Sequence, residues 1–202
     1  MLPPSPPEAS VRHGRLKLYL VVAICAAPVI ASYVAYYFVR PEARSNYGAL
    51  VDPQRPMPAL RLQTLDGRPF DAATLRGRWL MVMVAGGECP AACVDRLYHL
   101  RQVRLTTGRE RERVERVWLI PDAAPVPTMA IREYDGTRML RADPAELARW
   151  LPVDTGESPD AWVDHIYIVD PLGNLMMRFP RDADPNKTKV DLSKLLRASR
   201  IG

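Results

Sequence analysis

The fold of this chain is decided by the stretch Trp79-Leu80-Met81-Val82-Met83-Val84-Ala85-Gly86-Gly87-Glu88-Cys89-Pro90-Ala91-Ala92-Cys93. Its first part, Trp79–Val84, is apolar throughout, as expected for a central strand that is covered on both faces of a sheet. The glycine pair that follows allows a tight turn, and Pro90 suits the first turn of a helix. The stretch therefore predicts a buried strand, a glycine-rich loop and a helix that begins at the cysteine pair.

The thiols of Cys89 and Cys93 stand at the predicted entrance of this helix. Free N–H groups in the first turn and the helix dipole favour thiolate over thiol there. Residues four apart lie on one helical face, so both sulfurs can point at one small object. That object is either a soft metal ion or the other sulfur. A disulfide becomes possible if Cys89 lies just outside the helix.

The rest of the soluble part follows an alternating pattern of strands and helices. In chain order we predict a β-hairpin, a strand, the cysteine helix, a second inner strand, a helix, a second hairpin and a closing helix, at 60–75, 79–84, 90–105, 114–121, 143–151, 165–179 and 184–196. Strands alternating with helices indicate an α/β protein, and this order is typical of a thioredoxin-like sandwich.

The run Leu18–Val39 carries no charge and is long enough, at about 1.5 Å per residue, to cross a hydrocarbon core of about 30 Å. It exceeds the apolar part of a cleaved signal peptide, and no A-x-A site closes it. Cys25 lies inside it and is interpreted as a small apolar residue. The excess of positive charge precedes the run, which predicts an N-terminus in the cytoplasm.

These features predict four segments. Residues 1–17 form a disordered cytoplasmic N-terminus, 18–39 a transmembrane helix, 40–56 a linker and 57–202 the folded domain. The predicted location is a bacterial inner membrane that the chain crosses once, with the C-terminal domain in the periplasm.

The chain has a formal net charge of only +5. Its densest basic region, Arg101–Arg116, is interleaved with glutamates. Such a mixture is typical of a solvated helix and loop surface, so we predict no binding to nucleic acid.

The chain contains three histidines, which makes the search for a third metal ligand short. His13 precedes the membrane helix, and His99 is six residues beyond Cys93, too far along the helix to join both sulfurs at one ion. His165 begins the late hairpin, whose loop faces the cysteine helix in a thioredoxin-type sheet. Two thiolates and one imidazole form a soft set suited to Cu(I), and the same ligands can hold Cu(II).

The sequence resembles the Sco/SenC family, the copper-assembly proteins of cytochrome c oxidase. The resemblance rests on five motifs: Asn46-Tyr47-Gly48, Cys89-Pro90-x-x-Cys93, Asp164-His165, Asp170-Pro171-x-Gly173 and Asp184-Pro185. It covers essentially the whole soluble domain. Val94 and Ile166 depart from the residues usual in the family, which indicates a divergent member.

The resemblance implies a thioredoxin-like fold that binds copper through Cys89, Cys93 and His165. Asp164 is then expected to orient the loop or hydrogen-bond the imidazole. The implied function is that of a metallochaperone, rather than an enzyme, that delivers copper to the Cu_A site of cytochrome c oxidase subunit II or serves another oxidase assembly factor. Cys89 and Cys93 can also act as a redox pair that reduces the cysteines of that site from disulfide to thiols.

Two alternatives stay open. The first is a membrane-anchored thiol–disulfide oxidoreductase without copper, although such enzymes usually carry two residues between the cysteines and a cis-proline opposite them. Here three residues separate the cysteines, and Ala161-Trp162-Val163-Asp164 contains no proline. The second is a scaffold of oxidase assembly that binds no metal.

Overall fold

The computed structural model describes residues 8–37 and 46–201, with side chains for 15–37, 46–163 and 165–201. The chain divides into two compact units, Met1–Ser45 and Asn46–Gly202. The described part of the first unit is the helix α1 (Glu8–Tyr37). Its portion Arg15–Tyr37 has a mean hydropathy of 2.2 and is long and apolar enough to cross a membrane.

Helix α1 differs from the predicted segment at its N-terminal end. Residues 8–17 continue the helix, although the sequence predicted disorder there. Extending an existing helix costs far less free energy than nucleating one, so the helix that forms in the apolar run extends into the polar residues before it. The predicted end of the segment, residues 38–39, and the first part of the linker, residues 40–45, lie outside the described residues.

The second unit is built on one mixed sheet, which has eight strands within residues 46–201. The strands are β1 (Ala49–Pro56), β2 (Arg61–Thr64), β3 (Pro69–Asp71), β4 (Trp79–Val84), β5 (Val114–Ile120), β6 (Thr137–Ala142), β7 (Ile166–Val169) and β8 (Asn174–Arg178). Their order in the sheet is β1-β8-β7-β4-β5-β6-β2-β3. Strand β4 runs parallel to β5 and antiparallel to β7, so the cysteine loop starts from the middle of the sheet.

Helices cover both faces of the sheet. They are α2 (Ala91–Thr106), α3 (Thr128–Glu133), α4 (Pro144–Trp150) and α5 (Pro185–Ala198). Met81 and Met83 of β4 join the core layer of α2 and α5, whereas Leu80, Val82 and Val84 join the layer of α4. Every residue of β4 is therefore buried, and the predicted α/β sandwich is confirmed.

The beginning of the domain lies earlier than the sequence predicted. The predicted linker 40–56 contains β1, which pairs antiparallel with β8. The backbone N–H groups of Tyr47 and Gly48 both donate to the Asp191 carboxylate, at 2.6 and 2.9 Å. The sequence did not predict this strand because its prolines interrupt the alternation of apolar and polar residues. Prolines are nevertheless tolerated on the outermost strand of a sheet.

Strand β6 and helix α3 also escaped prediction. The strand carries Arg138 and Arg141 among its apolar residues, and these charges masked its pattern. In the fold, Arg138 pairs with Glu115, and Arg141 donates to the carbonyl of Asp122 at 2.5 Å. The strand is parallel to β5, and both arginines find hydrogen-bond partners that only the folded chain brings near.

Candidate functional site

The loop after β4 is held close to the loop after β5. The N–H of Gly87 donates to Asp122 Oδ1 at 3.0 Å, and the N–H of Ala124 donates to the same oxygen at 3.1 Å. A Cβ on Gly86 would come within 2.5 Å of Asp122 Oδ2, and one on Gly87 would clash with the Ala124 carbonyl. The approach of the Ala124 backbone therefore requires glycine at position 87, whereas a side chain at position 86 would have to displace the Asp122 carboxylate.

The same loop is tied to the core by Trp118, which sequence analysis did not single out as a site residue. The indole Nε1–H of Trp118 donates to the carbonyl of Ala85 at 3.0 Å, in a fully buried position. This bond satisfies the one polar atom of a large core side chain. It also fixes the point at which the chain leaves β4 towards the cysteines.

Cys89 and Cys93 form a disulfide, with their Cα atoms 5.0 Å apart. Cys89 lies just outside α2, with a positive φ of 45°, and Cys93 is the third residue of the helix. Left-handed backbone in a residue other than glycine is uncommon and costs free energy, so it concentrates at functional sites. Cys89 is 6 % exposed and Cys93 is fully buried, so Cys89 is the less buried residue of the pair.

The start of α2 is electropositive. Its N-cap residue, Pro90, offers no side-chain acceptor to the first-turn N–H groups, and Cys93 lies within that turn. Unfilled N–H groups and the helix dipole stabilise negative charge at this end of a helix. A thiolate formed at Cys93 is therefore favoured by the position that the sequence predicted.

His165 directly precedes β7, at the sheet edge from which the cysteine loop leaves β4, because Met83 pairs with Ile166. It is only 4 % exposed. Its Nδ1 lies 2.7 Å from the carbonyl oxygen of Phe179. A carbonyl only accepts, so Nδ1 carries the proton, and in the neutral ring the lone pair is on Nε2.

The Nε2 atom of His165 lies 3.5 Å from Glu157 Oε1. Glu157 is held by the Asp154 N–H at 2.9 Å and by Arg178 at 2.7 Å, and Arg178 also pairs with Asp154. The hydrogen bond from the Asp154 N–H has the larger effect on Glu157 and the bond from Arg178 the smaller. Both lower the pKa of the Glu157 carboxyl below its usual value. His165 therefore faces a carboxylate that stays charged at neutral pH.

These side chains surround a cavity of about 470 Å³, which we call the His165 cavity. Its wall includes Tyr47, Asp154, Glu157, His165, Arg178 and Phe179. The sequence offered no signal for Glu157 and Asp154 as neighbours of His165, because the segment that carries them shows no periodicity.

The predicted copper ligands are not assembled when the cysteines are joined. Among the residues with described side chains, no three His, Cys, Asp or Glu groups lie close enough together to hold a metal ion. The disulfide form does not fit copper, because a disulfide sulfur is not a thiolate. The Asp164 backbone ends a 3-10 turn, Ala161–Asp164, and its side chain lies outside the described residues.

A second histidine, His99, lines a different cavity together with Cys93. This Cys93 cavity measures about 540 Å³, and its wall includes Cys93, His99, Val163, Ile166, Arg181 and Asp182. His99 is 7 % exposed, and its Nε2 has no hydrogen-bond partner among the described residues. Burial lowers the pKa of His99, and the charge of Asp184 opposes this effect.

Sequence analysis set His99 aside as a copper ligand and gave it no other role. The only sequence feature that could have pointed to His99 as a site residue was its position on the cysteine helix. Helix α5, remote in sequence, packs against the helix that carries His99, and Leu97, Leu100, Leu192 and Leu196 belong to one core cluster.

Residues 79–199 match the family described as transmembrane-like, thioredoxin-like, C-terminal domain. The chain belongs to this family. The match confirms the predicted thioredoxin-like fold, and it includes both cysteines, His99 and His165. None of the curated proteins matches the chain by sequence.

Solved structures with the same fold include yeast Sco1 with copper bound, at 17% identity and a TM-score of 0.54, covering 74% of this chain and 96% of that one. Apo Sco1 from Thermus thermophilus has 15% identity and a TM-score of 0.53, and the match covers 78% of this chain and 98% of that one. A thiol:disulfide interchange protein from Bacteroides sp. has 14% identity and a TM-score of 0.52, and the match covers 73% of this chain and 91% of that one. The predicted resemblance to Sco/SenC proteins is thus confirmed for the fold, at low sequence identity.

Proposed function

We propose that this protein is a membrane-anchored thiol–disulfide oxidoreductase with a Sco-like thioredoxin fold. The observation that carries the proposal is the Cys89–Cys93 disulfide at the first turn of α2. Three properties support exchange: a less buried cysteine outside the helix, a fully buried one within its first turn, and backbone fixed by the Asp122 and Trp118 bonds.

In the proposed reaction, a thiolate of the client attacks the sulfur of Cys89. The Cys89–Cys93 bond breaks, and its electron pair leaves on Cys93, where the helix start stabilises the negative charge. A second client thiolate then attacks the mixed disulfide and releases the Cys89 thiolate. The client loses two electrons and gains a disulfide, and the protein becomes a dithiol. The reverse sequence reduces a client disulfide.

Trapping experiments test this assignment in full-length protein in detergent. Cys25→Ser should be included in every variant, because this exposed third cysteine would react independently. When each variant is mixed with a small symmetric disulfide, Cys89 of Cys93→Ser should attack it, release one small thiolate and accumulate as a mixed disulfide, detected by mass. Cys89→Ser should accumulate far less, because Cys93 is fully buried. Equal trapping by the two variants, or no reaction of the wild-type disulfide with thiols, would contradict the proposal.

A second candidate function, copper binding by the reduced protein, is favoured by the tautomer of His165. The bond from Nδ1–H to Phe179 leaves the Nε2 lone pair available, as in many metal-binding histidines. Reduction would supply two thiolates, Cys89 just before α2 and Cys93 in its first turn. Cys89, Cys93 and His165 would then hold Cu(I) or Cu(II), and Asp164 would orient the loop or hydrogen-bond the imidazole.

Titration of the reduced protein with each copper oxidation state tests this candidate. His165→Ala should weaken Cu(II) binding more than Cu(I) binding, because Cu(I) tolerates two sulfur ligands. Glu157→Gln should bind at least as tightly as wild type, because it removes the carboxylate that faces Nε2. Reduced wild type without measurable affinity would exclude copper and leave the thiol chemistry or a scaffold without metal.

The proposed location is a bacterial inner membrane, with α1 as a single anchor and the domain in the periplasm. The uncharged helix, its basic N-terminal flank and a disulfide that needs an oxidising compartment support this location. The proposed client is the Cu_A site of cytochrome c oxidase subunit II, or another oxidase assembly factor, as the Sco/SenC resemblance implies. A C-terminal alkaline phosphatase fusion should be active, and an inactive fusion would reverse the orientation.

A further inference from the structure

A third cavity lies at the other end of β8 from the His165 cavity. It measures about 350 Å³ and is formed by the end of β1, the segment that follows β1, and helix α4. Arg55 on its wall pairs with Leu175 near the start of β8, whereas Arg178 at the end of that strand lines the His165 cavity. We call it the α4 cavity. None of the proposed redox or copper residues belongs to its wall, so the proposed function leaves it unexplained.

Most of the wall of the α4 cavity is apolar. Its carbon surface comes from Pro56, Pro58, Ala59, Leu60 and Trp150. Leu60 and Trp150 are buried, and the prolines and Ala59 are exposed. Sites for small molecules are typically apolar clefts of at least about 300 Å³ in which a few polar groups fix the orientation of the ligand. The α4 cavity has the size and the lining of such a site.

Two arginines supply the positive charge of the α4 cavity. Arg55 donates from Nη1 to the carbonyl of Trp150 at 3.3 Å, and Arg149 donates from Nε to the carbonyl of Ala145 at 3.1 Å. Neither guanidinium pairs with a carboxylate within residues 15–37, 46–163 and 165–201. A guanidinium has five N–H donors, so each of them retains donors for another acceptor.

The one acid on the wall, Glu146, is already paired. Its Oε2 accepts from the N–H of Arg61 at 2.9 Å, and its Oε1 accepts from Arg61 Nε at 2.6 Å. Arg61 also pairs with Asp143 at 2.5 Å. The α4 cavity and its surroundings therefore contain three arginines and two carboxylates. The excess charge is positive and favours an anion.

Charge and lining together define the class of ligand. The planar fork of a guanidinium matches a carboxylate, and charge-assisted bonds of this kind are strong. The apolar wall suits a carbon body attached to that carboxylate. A peptide segment would also bury amide N–H groups, and both oxygens of Glu146 already accept from Arg61. A small molecule therefore fits this wall better than a peptide does.

We propose that the α4 cavity binds a small organic carboxylate with an apolar body. The carboxylate pairs with Arg55 and Arg149, and the body lies against Pro56 and Pro58. This inference goes beyond the proposed thiol chemistry and does not depend on it. Binding is expected whether Cys89 and Cys93 are joined or reduced.

Four probes test the two parts of the ligand separately. The reference probe is para-fluorophenylpropanoate, whose ¹⁹F line width reports binding to full-length protein in detergent. Its amide, para-fluorophenylpropanamide, keeps the ring and loses the charge. Propanoate keeps the charge and loses the ring, and is tested as a competitor. N-acetyl-para-fluorophenylalanine adds one peptide amide to the reference probe.

Wild type should bind the reference probe saturably at millimolar concentrations, bind its amide at least tenfold more weakly, and release neither probe to an equal concentration of propanoate. Arg55→Gln and Arg149→Gln should each raise the Kd of the reference probe about tenfold, the size of one hydrogen bond to a charged group. Arg68→Gln is the matched control. Its side chain is 82% exposed, it loses the same charge outside the wall of the cavity, and it should keep the wild-type Kd.

Three results would overturn the inference. The first is wild type that shows no saturable binding of the reference probe. The second is a Kd that is the same in wild type, Arg55→Gln and Arg149→Gln when melting temperatures show that all three are folded, since binding then occurs elsewhere or in the detergent. The third is binding of the N-acetyl probe more than tenfold tighter than the reference probe, which would assign the cavity to the C-terminus of a peptide. None of these results bears on the disulfide exchange of Cys89 and Cys93.

Discussion

The His165 cavity and the Cys93 cavity each contain one buried histidine, and the two rings differ in how their nitrogens are satisfied. The Nδ1–H of His165 donates to the carbonyl of Phe179, and its Nε2 lies 3.5 Å from the carboxylate of Glu157. The Nε2 atom of His99 has no hydrogen-bond partner among the described residues. Nδ1 of His165 is therefore satisfied within the fold, whereas Nε2 of His99 is a buried polar atom of a kind that native proteins keep in small numbers.

The two cavities are also built by different interactions. The Cys93 cavity depends on close backbone approach, because Gly86 and Gly87 leave room for the Asp122 carboxylate. The His165 cavity depends on ion pairs that Arg178 makes with Glu157 and Asp154. Backbone contacts are short-ranged and intolerant of added atoms, whereas ion pairs near solvent are weakened by screening. The histidine predicted from sequence as the third copper ligand thus lies in the cavity held by charges.

The largest expected effect comes from Gly87→Ala, which attacks the backbone contact. The added Cβ would collide with the Ala124 carbonyl, and one of the two loops must move. We expect the free energy of unfolding to fall by up to about 3 kcal/mol. Urea unfolding followed by tryptophan fluorescence measures this loss. The exposed Ala123→Ser in the same loop should change stability by less than about 0.5 kcal/mol, and equal effects of the two variants would contradict close packing here.

A smaller loss is expected from Arg178→Met, which attacks the charge network. The side chain of Arg178 is buried, and the change leaves Glu157 and Asp154 without their cation. We expect a loss of about 1–2 kcal/mol from its hydrogen bonds. Arg138→Met is the matched control, because Arg138 makes an exposed ion pair with Glu115 and should matter by less than about 0.5 kcal/mol. If Arg138→Met lost as much free energy of unfolding as Arg178→Met, the burial of Arg178 would not explain its contribution to stability.

The smallest effect is a change in pH dependence caused by His99→Gln. Because burial lowers the pKa of His99, the folded protein binds fewer protons than the unfolded chain below about pH 6.5. The free energy of unfolding of wild type should therefore decline as the pH falls from about 7 to 5, and the glutamine variant should lack this part of the decline. Melting temperatures across this range measure it. Parallel curves for the two proteins would show that His99 titrates normally.

Local patterns predicted the elements closest to the cysteines well. The apolar run Trp79–Val84 coincides with β4, and the helices predicted at 143–151 and 184–196 correspond to α4 and α5, which Asp143 and Asp184 cap. These features depend on residues near in sequence, which is why a single chain reveals them. Strands β1 and β6 were missed because their prolines and arginines are stabilised by partners remote in sequence.

By itself, the sequence determined an apolar membrane-length helix, a buried strand that leads to a cysteine pair, and an α/β order with the thioredoxin fold. Periodicity, capping and turn preferences act over a few residues and are readable without the fold. Only the tertiary structure decided that Cys89 lies outside the helix and bonds to Cys93, that Glu157 faces His165, and that His99 lines the Cys93 cavity. These outcomes depend on the packing of α2 against α5 and of β4 against β7, which joins residues far apart in the chain.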